Sequence, residues 1–369
     1  MPSSSRHFAI TDSCSRRPRT PIARRAGEPL AGVAISSETI PRFTSADALE
    51  AALERYGLSG DAAPLPSERD QNFLIADPRR GKFVLKIANR EDSAEMLDLQ
   101  HEAMRRVAAR GCGIRVPQVL SSLAGAEVDS VRSRAGVEHR LRVLTWVDGT
   151  VLAECTPRGG ALLESIGASM ARVDLALSEL AHPAMHRVLQ WDLRHAGIAR
   201  GHATLLPEAW RERVQTAFVR WEQLEWTSLR PGVIHGDAND HNVLAQRDRM
   251  TGLLDFGDMV HSAMVCDLAV ALAYAMLGEH DPLLAAGAVI RGYHRHNPLT
   301  VAEQLALETL VRVRLAASLC YAAHNKIRDP DDPYQVVSEA GVRALFERLD
   351  AYPRGAAEET IRTVCGTLA

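Results

Sequence analysis

The sequence predicts an α+β protein with two lobes: a small antiparallel-sheet N-lobe that carries one long helix, and a larger, mostly helical C-lobe. Up to Gly149 the chain has short apolar runs separated by turn residues, a pattern typical of strands. After Gly149 it has long stretches in which apolar residues recur at helical spacing. A β-rich part followed by a larger helical part predicts two lobes, with residues 146–150 as their connector.

The N-lobe elements follow from local signals. They are a helix at 43–57, a β-hairpin of strands 72–77 and 82–88, a long helix at 91–110, and strands at 115–122 and 138–149. Thr44 or Ser45 can cap the first helix and Gly57 can end it. A turn ending in Gly81 separates the two β-prone runs of the hairpin. Acids at the start of the long helix and arginines at its end suit the helix dipole.

The C-lobe shows long helical patterns at 157–181, 208–229, 262–278, 281–296, 300–325 and 333–350. Between the second and the third lie two short apolar runs, "GVIHGD" and "GLLDF", which read as small strands with loops at their ends. We therefore divide the chain into a tail at 1–28, an N-lobe at 29–146 and a C-lobe at 147–369.

Composition and charge exclude some classes of partner. The 369 residues are 46% hydrophobic and 24% charged, which is ordinary for a globular protein. The net charge of −3 offers no basic field for nucleic acid. No apolar stretch approaches the roughly 20 residues of a membrane span. We therefore expect neither a nucleic-acid nor a membrane partner.

The cysteines and the first residues bear on the compartment. The six cysteines are scattered and form no CxxC pair, which argues against a zinc site or a disulfide framework and predicts a reducing, cytoplasmic location. Residues 1–28 are rich in Ser, Pro and Arg and almost free of acids. We predict a disordered tail, although an organelle transit peptide has the same composition.

Two short segments carry the predicted chemistry. Asp237 and, five residues later, Asn242 lie in "VIHGDANDHNVL"; Asp255 and Asp258 lie in "GLLDFGDM". Phosphoryl transfer needs positioning and charge compensation more than covalent help. Asp237 could orient a substrate hydroxyl, while Asn242 and Asp255 offer the oxygen ligands that Mg²⁺ prefers, and Asp258 a further ligand or a loop anchor. Either segment alone is also typical of a polar turn, but the two in this order favour a phosphotransfer site.

A lysine within an apolar strand is the second signal. Lys86 lies in "FVLKIA", where an unpaired charge is costly. Glu102, sixteen residues later on the long helix, is the predicted partner, and the ammonium group would then face the α- and β-phosphates of a nucleotide. The alternative is a lysine that extends to the surface.

The expected cover of those phosphates is not a glycine-rich loop. The chain has neither GxGxxG nor GxxxxGK[ST], which argues against the Rossmann and P-loop classes. In that place stands "SERDQNF" at 67–73, whose backbone N–H groups and whose side chains of Ser67, Gln71 and Asn72 could bind phosphate oxygens.

"HGDANDHN" followed by "LLDFGD" resembles the aminoglycoside phosphotransferase and choline kinase superfamily, a branch of the protein-kinase-like fold. "SERDQNFLI", "WDLRHA" and the segment that begins "RLAASLCYAAHNK" are most similar to the hydroxylysine kinase group. The resemblance implies a bilobal kinase-like fold with a nucleotide-binding N-lobe, with ATP or GTP as donor and Mg²⁺ as cofactor. It also implies site roles: Asp237 as catalytic base, Asn242 and Asp255 as Mg²⁺ ligands, Lys86 on the nucleotide, and the purine on the backbone of Thr145, Trp146 and Val147.

The acceptor is predicted from charge alone. A hydroxylated amino acid or amino alcohol needs anions for its ammonium groups and cations for its carboxylate. The candidates are Asp192, Glu279, Arg194 and Arg314, with His241 facing either the substrate or the solvent. Asp192 adjoins Trp191, whose ring could attract an ammonium group. The alternative is that Trp191 is a core aromatic and Asp192 a helix cap.

These observations predict a small-molecule kinase that moves the γ-phosphoryl group of ATP or GTP to a hydroxyl of an amino-bearing metabolite, hydroxylysine-like in kind. The alternatives are an aminoglycoside kinase that confers resistance, a homoserine- or choline-type kinase, and an inactive nucleotide-binding regulatory module. A protein kinase is disfavoured, because the loop reads HGD instead of HRD and no APE-like segment follows.

Overall fold

The computed structural model describes residues 40–67, 69–328 and 338–366. The described residues belong to one compact unit. The predicted tail at 1–28 lies outside them, as do residues 333–337 of the helix predicted at 333–350. Within the described ranges, no helix combines the length and the apolar character needed to cross a membrane.

An antiparallel sheet forms the N-terminal part. Its strands are β1 (Asp61–Leu65), β2 (Gln71–Asp77), β3 (Gly81–Ile87), β4 (Val119–Leu120), β5 (Asp129–Arg132) and β6 (Glu138–Thr145). The spatial order is β1-β2-β3-β6-β4, and β5 also pairs with β6. β3 is therefore central, and the predicted hairpin of β2 and β3 is present with Asp77 paired to Gly81.

Two helices accompany this sheet, α1 (Ser45–Tyr56) and α2 (Ala94–Ala109). Thr44 caps α1 in a capping box with Asp47, and Gly57 ends it in the left-handed conformation. Of the two candidate caps, Thr44 is thus the one used. The buried face of α1 packs with apolar residues of β2, β3 and β6 in a small core of its own. α2 starts at the Ser93 cap, close to the predicted start at residue 91.

The strands of the N-terminal sheet that the pattern missed are poorly buried. β1 carries Pro64 and is exposed or half-exposed along its whole length, so it has no alternation for a pattern to detect. β5 is similarly half-exposed. Of the strand predicted at 115–122, Val119 and Leu120 pair with β6, and Arg115 forms an isolated bridge with Gly252. Edge strands of this kind form because a neighbouring strand offers free hydrogen-bonding groups, which the local sequence does not reveal.

The rest of the chain is mostly helical. The helices are α3 (Gly160–Leu177), α4 (Gly197–Arg200), α5 (Glu208–Glu222), α6 (Val265–Ala275), α7 (Pro282–His296), α8 (Val301–Arg328), α9 (Glu339–Asp350) and α10 (Ala356–Gly366). Every residue of α6 is buried, so this helix is the centre of the helical core. The predicted α+β class is confirmed; α4 and α10 are additions. The proposed boundary between residues 146 and 147 stays a prediction.

Helices α3 and α7 touch through their backbones. A Cβ atom on Gly167 would lie 1.8 Å from the carbonyl oxygen of Val289, and one on Gly292 would lie 1.9 Å from that of Glu164. Only glycine permits an approach this close, so these two residues set the distance between the helices.

Short strands position the loops that carry the predicted chemistry. They are β7 (Thr150–Val151), β8 (Pro231–Ile234), β9 (Val243–Gln246), β10 (Arg249–Leu253) and β11 (Val260–Ala263). β9 pairs with β7 and β10, and β8 pairs with β11. Because Ile234 stands opposite Val260, the loop that leaves β8 and the loop that enters β11 lie side by side. After the roles that the sequence predicts for them, we call residues 235–242 the catalytic loop and residues 254–259 the metal loop.

Candidate active site

Hydrogen bonds to the first turn of α6 fix the start of the catalytic loop. The carboxylate of Asp267, at the start of α6, accepts hydrogen bonds from the backbone N–H groups of His235 at 2.9 Å and Gly236 at 2.8 Å. The His235 ring is fully buried, donates through Nε2 to the Leu254 carbonyl at 2.9 Å and packs edge-on against Phe256. These contacts give His235 a structural place that joins the catalytic and metal loops.

Gly236 brings the two loops into contact. Its φ is +83°, and a Cβ atom there would lie 2.5 Å from the carbonyl oxygen of Asp258. Both the backbone conformation and the lack of space require glycine at this position. The residue that follows, Asp237, is therefore placed at a fixed distance from the metal loop.

Three side chains of the described residues donate hydrogen bonds to the Asp237 carboxylate. Asn239 and Asn242 each donate from Nδ2 to Oδ2 at 2.8 Å, and Arg314 donates from Nη2 to Oδ1 at 2.8 Å. The side chain is 19% exposed, so it reaches solvent despite these contacts. The five-residue spacing of Asp237 and Asn242 thus corresponds to direct contact, and the carboxylate is held in one orientation.

Asp255, the second residue of the metal loop, has an unusual backbone conformation. Its φ of +50° is rare for a residue with a side chain, and such conformations are common at functional sites. Its carboxylate accepts from the Gly257 N–H at 3.0 Å and lies 3.4 Å from Lys86 Nζ. The Lys86 charge is the main cause that lowers the pKa of Asp255. The side chain is 45% exposed, so this anionic carboxylate is open to a ligand.

Asp258 has a different environment. Burial raises the pKa of its carboxyl group to about 6, and the negative charges of Asp237 and Asp255 add to the rise while Arg187 opposes it. Arg187 also donates to the Met259 carbonyl at 3.1 Å and so holds the backbone of the metal loop. Both carboxylates are therefore mostly ionised at neutral pH, but Asp258 takes up a proton at a higher pH than Asp255 does.

Lys86 has carboxylate partners, but Glu102 is not one of them. The buried Lys86 ammonium lies 3.4 Å from Asp255 and 3.8 Å from Asp70. Glu102 instead pairs with Arg106 at 3.0 Å on the half-exposed side of α2. The predicted Lys86–Glu102 pair is therefore wrong as a contact.

Helix geometry explains the error. The α2 residue that faces the sheet is Gln100, which is buried and accepts from Arg142 Nη2 at 2.6 Å. Glu102 follows two positions later, about 200° further around a helix of 3.6 residues per turn. The α2 side chain that contacts the sheet at Arg142 is thus a neutral amide, and the carboxylate of Glu102 lies on another side of the helix.

The residues predicted to cover the phosphates take different places. The Gln71 amide is engaged with the backbone of Phe43, accepting at 2.7 Å and donating at 2.8 Å, so it anchors the start of α1 and does not fit the predicted phosphate role. Asn72 lies directly opposite Lys86 on β2 and is buried. Its Oδ1 has no hydrogen-bond partner within the described part of the chain. Ser67 is half-buried, and its role stays a prediction.

At the end of β6, only part of the backbone is open to a purine. The Thr145 N–H donates to the Gln118 carbonyl at 2.8 Å, and the Trp146 N–H donates to the Lys82 carbonyl at 3.2 Å. Val147 makes no backbone hydrogen bond to another described residue. Of the three N–H groups predicted to meet the base, that of Val147 is therefore the best placed to donate.

Arg314 on α8 adjoins the Asp237 carboxylate. Besides Asp237, its Nη2 contacts the Tyr274 hydroxyl at 3.3 Å, and its guanidinium lies 4.4 Å from the ring centre of Trp191 and 5.3 Å from that of Tyr274. Burial lowers the pKa of Arg314, but Tyr274 and Asp237 outweigh it and raise the pKa above the usual value. Nε and Nη1 have no hydrogen-bond partner among the described residues.

Two other predicted substrate residues stand apart from Arg314. Asp192 is buried and caps a short 3₁₀ turn, accepting from the Arg194 N–H at 3.0 Å and the Ser262 hydroxyl at 2.6 Å. It fits the alternative of a helix cap and not a substrate contact. His241 is half-buried, and its N–H donates to Asn239 Oδ1 at 2.8 Å. Its contact with a substrate stays a prediction.

The predicted metal residues suit Mg²⁺ by their chemistry. Asn242 uses its amide nitrogen on Asp237, so its oxygen stays free of that contact, and Asp255 presents an exposed carboxylate. In the described ranges, no three His, Cys, Asp or Glu side chains form a ready cage for a metal. Mg²⁺ needs no such cage, because it retains waters and takes ligands from nucleotide phosphates. Asn242, Asp255 and Asp258 therefore fit this ion.

The sequence pattern does not predict every residue of the site. Asn239 and Asp70 lie inside segments that the prediction quoted, but nothing in their spacing marks them as partners of Asp237 and Lys86. Arg142 had a readable signal, since it is a charged residue inside the apolar strand "LRVLT", just as Lys86 is in "FVLKIA".

Comparison with known proteins shows which protein family the chain resembles. A family model described as "Phosphotransferase enzyme family" matches residues 61–305. Hydroxylysine kinase of Mus musculus is 30% identical over 347 residues, covering 84% of this chain and 90% of that protein. Hydroxylysine kinase of Danio rerio is 28% identical over 334 residues, covering 84% and 92%.

A solved structure shares the fold. It is the amicoumacin kinase hAmiN in complex with AMP-PNP, Ca²⁺ and Ami, with a TM-score of 0.64 at 17% identity over 82% of this chain and 92% of that chain. The family match covers well over half of the chain and includes both the catalytic loop and the metal loop. On these grounds the chain belongs to the phosphotransferase enzyme family.

Proposed function

We propose that this phosphotransferase is a small-molecule kinase that transfers the γ-phosphoryl group of ATP or GTP to a hydroxyl of a hydroxylysine-like amino acid. The observation that carries the proposal is the convergence of Lys86, Asp237, Asn242 and Asp255. Asn242 donates to Asp237 at 2.8 Å, Lys86 lies 3.4 Å from Asp255, and Gly236 holds the two loops in contact.

On the nucleotide side, Lys86 would bind the phosphates and Asn242, Asp255 and Asp258 would hold Mg²⁺. The ion would supply positive charge to the phosphate chain. In the chain described here Lys86 is shared between Asp70 and Asp255, so its ammonium group is already poised beside an acid that would bind the metal. The N–H of Val147 would donate to the purine.

On the acceptor side, Asp237 would accept the hydroxyl proton. The hydroxyl oxygen forms a bond to the γ-phosphorus, the bond from that phosphorus to the β,γ-bridging oxygen breaks, and the nucleoside diphosphate leaves. Three fixed donors hold the Asp237 carboxylate, so it can orient the attacking hydroxyl as well as take its proton.

Arg314 supports an acceptor that carries a carboxylate. Its guanidinium is 2% exposed, stays charged, adjoins Asp237, and keeps Nε and Nη1 without partners among the described residues. A carboxylate on the acceptor could accept a charge-assisted hydrogen bond from either of these two nitrogens, which point in different directions. This favours hydroxylated amino acids over choline, amino alcohols and aminoglycosides, and the similarity of this chain to hydroxylysine kinases supports the same choice.

The proposal is tested by product formation with a panel of acceptors. Release of ADP or GDP is measured with hydroxylysine, homoserine, choline, ethanolamine and an aminoglycoside, and the product is identified by its added phosphate mass. We expect the highest kcat/KM with hydroxylysine, and a fall of 10-fold or more, by order of magnitude, when Arg314 is replaced by Met. A preference for choline or an aminoglycoside that Arg314→Met leaves unchanged would overturn the acceptor assignment. Nucleotide binding without any phosphorylated product would instead indicate the inactive regulatory module.

A further inference from the structure

A buried arginine in the sheet has no role in the mechanism above. Arg142 lies on β6 directly opposite Lys86 on β3, and Asn72 lies opposite Lys86 on β2. Residues opposite each other on neighbouring strands share one face of the sheet. Asn72, Lys86 and Arg142 therefore form a row of polar side chains across three strands. All three are buried, with exposed fractions of 8%, 6% and 2%.

This polar row is only partly satisfied. Arg142 donates through Nη2 to Gln100 on α2 at 2.6 Å, but its Nε and Nη1 have no hydrogen-bond partner within the described ranges, nor does Asn72 Oδ1. A buried donor without a partner is costly, and an arginine does not lose its charge to avoid that cost. Unsatisfied polar atoms of this kind in a folded protein call for a ligand or a function.

The charges near Arg142 are the same ones that surround Lys86. Burial lowers the pKa of Arg142, while the charges of Asp70, Asp255 and Asp92 oppose that effect. Asp92 already pairs with Arg69 at 3.0 Å, and Asp70 and Asp255 are the two partners of Lys86. Lys86 and Arg142 are thus two cations near the same two acids, Asp70 and Asp255. Among the described residues, the side chain of Arg142 donates a hydrogen bond only to the neutral amide of Gln100.

A purely structural tie between β6 and α2 does not explain this arrangement. A residue that only ties β6 to α2 would be expected to be an arginine paired with a carboxylate, or an apolar residue. An unpaired buried charge stabilises the fold less than an ion pair or an apolar contact does. Here position 100 holds a neutral glutamine, so the positive charge of Arg142 has no carboxylate partner on α2. Multiply charged phosphate oxygens beside Lys86 are the ligand that satisfies both the charge and the two free nitrogens.

We propose that Arg142 is a second cation of the nucleotide site: it donates through Nε and Nη1 to the phosphate chain beside Lys86, while Gln100 holds its third nitrogen in place. This inference rests on the proposed function, since it requires a nucleotide in that cleft. The ligand class is a nucleoside di- or triphosphate. The base and the ribose make no contact with Arg142 on this account.

The test separates binding of the phosphates from binding of the base. Affinities for ADP and adenosine, or GDP and guanosine if the protein prefers guanine, are measured by calorimetry without Mg²⁺ for the wild type and for Arg142→Met. We expect the diphosphate to bind about tenfold more weakly or worse to Arg142→Met. The nucleoside should bind within about twofold of the wild type, and Arg142→Lys should recover part of the loss.

Arg106→Met is the matched control. It removes an equal charge from α2 on the side that pairs with Glu102, so it should leave both affinities unchanged. Equal losses for ADP and adenosine in Arg142→Met would show a structural role and overturn the proposal, as would unchanged ADP affinity. If the wild type binds no purine diphosphate at all, the proposed function falls as well, and that outcome is distinct from a silent Arg142 variant.

Gln100→Glu is a second test of the role of Arg142, for use if Arg142→Met does not fold. It gives Arg142 a carboxylate partner, which would favour a structural tie but would withdraw the charge from the phosphates. We expect an unfolding midpoint at or above that of the wild type, together with weaker ADP binding and unchanged adenosine binding. ADP binding as tight as in the wild type would contradict the proposal.

Discussion

At the scale of single residues, the site depends on side chains that are held by their neighbours. The Asp237 carboxylate has three donors in place, and the ring of His235 and the carboxylate of Asp267 fix the loop beneath it. Preorganised groups of this kind need no rearrangement when the acceptor arrives. Replacing one of them should therefore affect turnover more than nucleotide binding.

Asp237→Asn tests the base directly. The amide keeps the size of the side chain but cannot accept the hydroxyl proton, so we expect kcat to fall by roughly two to four orders of magnitude. The dissociation constant for the nucleotide should change little, because Asp237 does not contact it on this account. Steady-state kinetics and calorimetry measure the two quantities. An unchanged kcat would refute the role of Asp237.

Gly236→Ala tests the contact between the catalytic and metal loops. The new Cβ atom would meet the Asp258 carbonyl at 2.5 Å and displace one loop from the other, and a misplacement of about 1 Å can cost about 100-fold in rate. Gly125→Ala is the matched control, because Gly125 has the same φ of +83° but no atom within 4 Å of the added Cβ. We expect kcat to collapse in the first variant only; equal effects in both would contradict the contact.

His101 on α2 should make stability depend on pH. Burial and the Arg142 charge lower its pKa from about 6.5 to about 4, and its Nε2 has no hydrogen-bond partner within the described residues. Between about pH 6.5 and pH 4, the imidazole of His101 is protonated in the unfolded chain but stays neutral in the folded chain. The contribution of His101 is therefore complete above about pH 6.5 and is lost as the pH falls towards 4, at up to about 1.4 kcal/mol per pH unit.

Urea unfolding at pH 7 and at pH 5 measures this effect. We expect His101→Gln to lose less stability than the wild type over that interval, because glutamine does not titrate. His280→Gln, at an exposed position after α6, should behave like the wild type. If His101→Gln and the wild type respond equally to pH, the burial of an unprotonated His101 is wrong.

At the scale of elements, close packing of α3 on α7 supports the helical core below the site. A Cβ on Gly292 would lie 1.9 Å from the Glu164 carbonyl, and we expect Gly292→Ala to lower the free energy of unfolding by about 2 kcal/mol or more. Gly287 lies on the same helix, and a Cβ there meets Val364 at an ordinary 3.5 Å. Gly287→Ala should be neutral or stabilising, since alanine favours helix by up to about 1 kcal/mol.

Thermal and urea unfolding of the two alanine variants measures the difference. Equal stability of Gly292→Ala and Gly287→Ala would contradict the close contact between α3 and α7. So would a larger loss of stability in Gly287→Ala, because a Cβ at position 287 makes only ordinary contacts.

Helices and strands were predictable from the sequence where one face is buried, because apolar residues then recur at a regular spacing. α1 with its Thr44 cap, the hairpin of β2 and β3, and the long helices have strong apolar faces and clear ends. β1 and β5 were not predictable, because they lie at exposed positions where pairing depends on a neighbour. Glu102 was chosen as the partner of Lys86 by distance along the chain, while the rotation of α2 turns Gln100 to the sheet. Which side chains of a helix face a sheet is decided by the packing of the two elements, and the local sequence does not reveal it.

At the scale of the whole molecule, residues far apart in sequence meet. Lys86 comes from a central strand, Asp237 and Asn242 from the loop after β8, and Asp255 from the loop before β11. The order of the two motifs was readable in the sequence, and family membership agrees with it. The acceptor is the part that the motifs leave open, because Arg314, on a distant helix, reaches Asp237 only through the packing of α8.

The most direct test of this convergence is a crystal structure with a non-hydrolysable ATP or GTP analogue, Mg²⁺ and hydroxylysine. The account predicts Mg²⁺ about 2.1 Å from oxygens of Asn242 and Asp255, and Lys86 on the phosphates. It also predicts the acceptor hydroxyl within about 3 Å of Asp237. A nucleotide bound elsewhere, or a metal that touches neither Asn242 nor Asp255, would contradict it.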